Sequence, residues 1–129
     1  MLYTHYNEIP KSVWHFRYFQ PSEIACKGTG QLYINADAIS NLDRLRSLLG
    51  RPIKLSSAFR SVYHNSKIGG SARSSHTVHG SNGPSAFDIV LGGQDKEMIR
   101  KAAEQCGFKG FGLRYQTFIH VDMGRRRQW

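Results

Sequence analysis

Two stretches decide how this chain is read: Ala86-Phe87-Asp88-Ile89-Val90-Leu91 and Phe118-Ile119-His120-Val121-Asp122-Met123. Each is a short apolar run with turn-forming residues nearby, and each reads as a buried strand. Each also carries ionisable groups where a core strand should have none. Burying a lone carboxylate costs several kcal/mol or forces its protonation. Asp88 therefore needs a partner, and so does His120 between Ile119 and Val121. One metal ion bound by both strands answers both needs. A hydrogen-bonded His–Asp pair without metal answers them too.

Outward from these strands the pattern is mixed. A helix is expected from about Asp37 to Leu49, with Ile39, Leu42, Leu45, Leu48 and Leu49 at helical spacing and Gly50 to end it. Ile53-Lys54-Leu55 alternates like a short strand, and Ser61 to Ile68 suits a short helix ended by Gly69-Gly70. Asp95 can cap a helix reaching Cys106, with Met98, Ile99, Ala102 and Ala103 on its apolar face. Strands near Phe111–Arg114 and Phe118–Met123 close the chain. There is no βαβα alternation. The expected class is α+β: one domain over residues 1–129, a small antiparallel sheet flanked by helices. Residues 1–20, with Tyr3, Tyr6, Trp14, Phe16, Tyr18 and Phe19, are expected to wrap the domain irregularly.

The segment 71–86, SARSSHTVHGSNGPSA, has the composition of a loop. A loop that long inside a small domain is usually functional. It holds His76 and His79. Two His and one carboxylate suit Zn²⁺ and leave a fourth position open to water. No HExxH is present, so the helical zinc-protease motif is absent.

Composition limits the partners. The 129 residues carry 18 Lys and Arg against 9 Asp and Glu, a net charge of +9. That field favours an anionic partner such as nucleic acid, a membrane surface or an anionic cell-wall polymer. No apolar run is long enough for a transmembrane segment. The N-terminus shows no basic region followed by an apolar one, so no signal peptide is expected. Cys26 and Cys106 lie 80 positions apart without CxxC spacing and read as two buried free thiols.

The joint order of several short motifs is more specific than any one of them. Ser57-Ala58-Phe59-Arg60 is followed by His64-Asn65, Gly69-Gly70, Ser74-Ser75-His76, Ala86-Phe87-Asp88-Ile89 and His120-Val121-Asp122. In this order they resemble the zinc D-Ala-D-Ala carboxypeptidase family, which includes phage endolysins and murein peptidases and shares a hedgehog/DD-peptidase-like fold. The resemblance covers roughly Phe19 to Trp129. It implies Zn²⁺ held by His76, Asp88 and His120, and hydrolysis of peptide bonds at D-amino acids in peptidoglycan stem or cross-link peptides. It implies that Arg60 stands beside the reacting centre, able to hold a substrate carboxylate or a developing oxyanion. Ser74 and His79 would then touch substrate.

Two departures from the family pattern stand out. The family runs His-x-x-Gly-x-Ala-x-Asp, whereas here Asp88 follows His76 by twelve positions. Register with Gly69-Gly70 and with Ala86 points to an insertion within HGSNGP and to His76 as ligand. His79 is the alternative ligand. The family often has a Glu or His two or three residues before the last ligand. Here Phe118 and Thr117 stand there and cannot act as a base. Asp122, on the same strand face as His120, is left either as that catalytic base or as the acceptor that orients a ligand histidine.

The expected protein is a monomeric zinc peptidase of peptidoglycan, made in the cytoplasm, acting at the cell wall and phage-encoded. Its charge would aid docking on anionic wall polymer, although the Arg125–Arg127 run itself reads as a solvated tail. A non-catalytic metal-containing binding domain of the same fold is the alternative. A specific nucleic-acid binder is not expected, since no RNP-like, helix-turn-helix or zinc-finger pattern is present.

Overall fold

The computed structural model describes residues 1–129. Strand β1 (Leu2–Tyr3) pairs antiparallel with β2 (Leu32–Tyr33), and between them lie two 3-10 turns and the short helix α1 (Pro21–Ile24). Helix α2 (Ala36–Leu49), β3 (Leu55–Ser57), α3 (Val62–Lys67), β4 (Phe87–Val90), α4 (Lys96–Gln105), β5 (Gly110–Gly112), β6 (Phe118–Asp122) and β7 (Arg127–Gln128) follow. The architecture is α+β. The main sheet has five strands in the order β3-β4-β6-β5-β7. All its pairings are antiparallel except β5 with β7, which is parallel.

The helices form where local chemistry starts and stops them. In α2 the Asn35 side chain accepts the Ala38 N–H, and Gly50 ends the helix in the left-handed region at φ 68°. Ala38, Ile39, Leu42 and Leu45 form its buried face. In α4 the Asp95 side chain accepts the Glu97 N–H, and Ile99, Ala102 and Ala103 are buried. The two helices pack together on one side of the sheet. One core cluster joins them to Phe87, Ile89, Phe108, Phe111, Ile119 and Val121.

The N-terminal aromatics pack on this core. Trp14 Nε1 donates to the Phe19 carbonyl at 2.8 Å, and the Arg17 and Tyr18 amides donate to Asp43 on α2. Tyr6, Trp14, Phe16 and Tyr18 are partly buried against the core, and Phe19 lies within it. Cys26 and Cys106 are buried free thiols. No helix is long and apolar enough to cross a membrane.

Period-two alternation divides the sheet into two faces. On β4 and β6, Phe87, Ile89, Ile119 and Val121 enter the core. Asp88, His120 and Asp122 therefore share the opposite face. On β5, Phe111 is buried in the core while Gly110 and Gly112 pair with Asp122 and His120.

Two expectations need correction. The strand after α2 is Leu55–Ser57 rather than Ile53–Leu55, with a register shift between Leu55 and Ser57 against β4. The C-terminal arginine run is not a solvated tail. Arg127 begins β7, which pairs with β5, and a two-residue strand shows no periodicity of its own.

Candidate metal centre

Register brings the ionisable groups of the two central strands together. Asp88 on β4 is the direct cross-strand partner of His120 on β6. His76 reaches them from the 71–86 loop, whose middle is tied to the segment after β3 and to the loop's own end before β4. The Arg60 amide donates to the His76 carbonyl at 2.8 Å, and the Ser85 amide to the Ser75 carbonyl at 2.8 Å. Ser74 Oγ accepts the His76 amide, and the Ser74 carbonyl accepts the Thr77 hydroxyl. His76, Asp88 and His120 are all buried. Each offers one ligand atom, and these atoms lie within 4.8 Å of one another.

The hydrogen bonds around the two imidazoles set their tautomers. His76 Nδ1 lies 2.6 Å from the Ala58 carbonyl, which can only accept, so Nδ1 carries the proton. Nε2 is then a bare lone pair, and it is buried without a hydrogen-bond partner. His120 Nε2 lies 2.7 Å from Asp122 Oδ2 and donates its proton there. This turns His120 Nδ1 toward Asp88 Oδ1, 3.1 Å away. His76 Nε2 stands 3.3 Å from the same Oδ1.

The bare Nε2 of His76, the Nδ1 of His120 and a carboxylate oxygen thus converge, and a cation that displaces the Nδ1 proton could sit between them. Two of the three donor separations suit a small tetrahedral ion such as zinc. Donors bound at ~2.0–2.1 Å around a tetrahedral ion lie ~3.3 Å apart. The two contacts to Asp88 Oδ1 are of that length. The orphaned Nε2 of His76, with its Nδ1 pinned to a carbonyl, is the arrangement expected of a ligand histidine.

The protonation equilibria follow. Burial pushes the His76 pKa down, against the opposing pull of Asp88. Burial also works against charge on His120, but its contacts to Asp122 and Asp88 prevail and raise its pKa. Burial would raise the Asp88 carboxyl, yet contacts to His120 and His76 hold it well below the usual carboxylate range. Asp122 is depressed likewise, burial being overcome by His120, Arg127 and the Gly124 amide.

Asp122 is fully buried, and both its oxygens are occupied. Arg127 Nη1 and Nη2 donate to Oδ1 and Oδ2 at 2.9 and 2.8 Å, and the Gly124 amide donates to Oδ1 at 2.9 Å. Asp122 does not line the cavity above the cluster. That cavity, about 380 Å³, is lined by the three cluster residues together with Arg60, Ser74 and Tyr115 among others.

Arg60 is held in place at the rim. Its Nε donates to Ser57 Oγ at 3.1 Å and its Nη1 to Asn65 Oδ1 at 3.2 Å. Its Nη2 stands 3.6 Å from Asp88 Oδ2. Buried Asn65 is fixed in turn through Nδ2 to the Ser71 carbonyl, 2.7 Å. His79 is exposed and lies outside the ligand cluster, lining a neighbouring cavity.

Sequence reasoning missed three participants. Arg127 clamps Asp122. Trp129 lies with its ring centre 5.0 Å from that of His120 and donates Nε1 to the Tyr115 hydroxyl. Gly110 leaves room for the clamp, because a Cβ there would collide with Asp122 Oδ1 and Arg127 Nη1. None had a local signal, since each depends on β7 folding back onto β5.

No curated protein matches the chain. The family model of Peptidase M15 matches residues 17–122, a span containing His76, Asp88, His120, Arg60 and Asp122. The match covers most of the chain, and its motifs converge at one buried cluster, so this protein belongs to the Peptidase M15 family.

Proposed function

We propose that the protein is a zinc-dependent peptidase that hydrolyses peptide bonds at D-amino acids in peptidoglycan. His76 Nε2, Asp88 and His120 Nδ1 would hold the ion. The observation that carries this reading is the buried, partnerless Nε2 of His76 aimed at Asp88 beside the Nδ1 of His120. Family membership supports peptidase chemistry.

Zinc held there supplies Lewis acidity toward a water and a peptide carbonyl. The chain's own residues do the rest. Arg60, fastened by Ser57 and Asn65, presents its guanidinium at the cavity rim to the oxygen on which charge develops. Of the two roles weighed for Asp122, we assign it the orienting one. It accepts the hydrogen bond of His120 Nε2–H and so fixes which nitrogen faces the ion. Ser74 props the turn that presents His76 and lines the cavity, where it can meet substrate. The surplus of positive charge suits an anionic wall polymer as docking partner. A monomer made in the cytoplasm of a phage-infected cell and acting at the wall fits this reading.

One observation favours the non-catalytic alternative. Apart from the three cluster residues, no carboxylate or imidazole lines the cavity to serve as a base. Metal analysis of the purified protein, followed by mass spectrometry of digested peptidoglycan, decides between the two. New termini at D-amino acids, lost with the zinc in His120→Ala, support the peptidase. Bound zinc with undigested peptidoglycan supports the binding domain, and full digestion by a zinc-free His120→Ala protein overturns the metal reading.

A further inference from the structure

A second cavity of about 570 Å³ adjoins the metal centre, lined by Arg73, Ser75, His79, Ser81, Arg125 and Arg127. It shares the wall residues Arg73 and Arg127 with the first cavity, so the two are adjacent. No acidic residue lines it, and no hydrophobic one. The Arg127 charge is answered by Asp122, but Arg73 and Arg125 have no ion-pair partner. Two unanswered guanidinium groups, two hydroxyls and an imidazole surround this space. Such a donor set suits an anion able to accept several charge-assisted hydrogen bonds.

The walls of the cavity are tied together. Asn82 Nδ2 donates to the Met123 carbonyl, and Ser85 Oγ accepts the Met123 amide at 3.2 Å. Asn35, at the start of α2, donates to the carbonyls of Asn82 and Pro84 at 3.1 and 3.3 Å. The loop bearing His79 and Ser81 is thereby fastened to the chain that leads into Arg125. Gly124 sits at the seam, where a Cβ would lie 3.4 Å from Ser81 Oγ and 3.2 Å from Arg127 Nη1.

We propose that this cavity is a subsite for a carboxylate on the substrate peptide, within a few residues of the bond that is cut. The proposal rests on the peptidase reading above. Adjacency across Arg73 and Arg127 favours a group on the same molecule that occupies the metal centre. A separately docked polymer would not need the shared wall.

The test uses zinc-loaded protein and a matched pair of synthetic stem peptides, one with its side-chain carboxylate free and one with it amidated. Amidation should raise KM about tenfold, the worth of a hydrogen bond to a charged group, with little change in kcat. Arg125→Ala should raise KM for the free peptide to that of the amidated one and leave the amidated peptide unaffected. An undiminished preference in Arg125→Ala overturns the proposal. If the wild-type protein cleaves neither peptide, the peptidase reading fails, and the subsite is examined alone by titrating glutarate while following the His79 imidazole by NMR. A saturable shift that is lost in Arg125→Ala supports the subsite, and no shift overturns it. A stronger response to inorganic phosphate than to glutarate overturns the carboxylate assignment in favour of a polymer phosphate.

Discussion

Arg127 grips Asp122 with two parallel N–H···O bonds of 2.9 and 2.8 Å, and Asp122 accepts a hydrogen bond from His120 Nε2–H at 2.7 Å. A side chain on the last strand thus sets the orientation of a candidate ligand on β6.

Removing the guanidinium leaves a fully buried carboxylate without its cation. Arg127→Ala should cost about 3 kcal/mol of stability, the usual penalty for breaking a buried pair from one side. Arg127→Lys keeps the charge but loses the planar fork and should fall in between. Urea unfolding of the three proteins checks the order.

Asp122→Asn keeps the shape but weakens the pull on His120 Nε2–H. Zinc affinity should drop about 10- to 100-fold, as for other groups that hold a ligand histidine. Chelator competition measures it. At saturating zinc the pH–rate profile should keep both limbs, because an orienting residue does not itself exchange the reacting proton. Loss of one limb would show that Asp122 acts as the base.

The two histidines give the metal-free protein opposing pH slopes. His76 is depressed from its ordinary 6.5, so its contribution is present above that pH and lost as pH falls through its folded pKa. His120 is raised above 6.5, so its contribution is present below that pH and lost as pH climbs through its folded pKa. Metal-free stability should peak near pH 6.5 as far as these two groups decide it. Zinc must displace the Nδ1 proton of His120, so its affinity should rise about tenfold per pH unit above the peak, levelling past the folded pKa. Thermal unfolding with and without zinc from pH 5 to 9 reads both trends. Parallel slopes with and without zinc would mean that zinc displaces no proton and would refute His120 as a ligand.

Gly110 has no side chain because the Asp122–Arg127 pair fills that space. Gly110→Ala should destabilise by ~1–3 kcal/mol, as overpacking does, and should lower zinc affinity along with stability. Calorimetry and chelator competition test both.

Much of the site was legible in the chain. An acid inside Phe87–Val90 and a histidine inside Phe118–Asp122 violate the apolar pattern of core strands, and that violation located two of the three cluster residues. His76 was found by register with Gly69-Gly70, and the structure brings it, rather than His79, into the cluster. Helices α2 and α4 came within a residue or two of their expected bounds because capping residues and apolar spacing are local signals.

The role of Asp122 was not legible. Its two candidate functions differ only in what surrounds the carboxylate, and the deciding neighbour is an arginine in a run that resembles a solvated tail. Near neighbours in the chain are enough to set the alternation that puts Asp88, His120 and Asp122 on one sheet face and to set the helix boundaries. Only the tertiary structure decided the cross-strand pairing of Asp88 with His120, the return of β7 beside β5, and the burial that leaves His76 Nε2 without a partner. Those features depend on contacts between residues far apart in the chain, which no local pattern encodes.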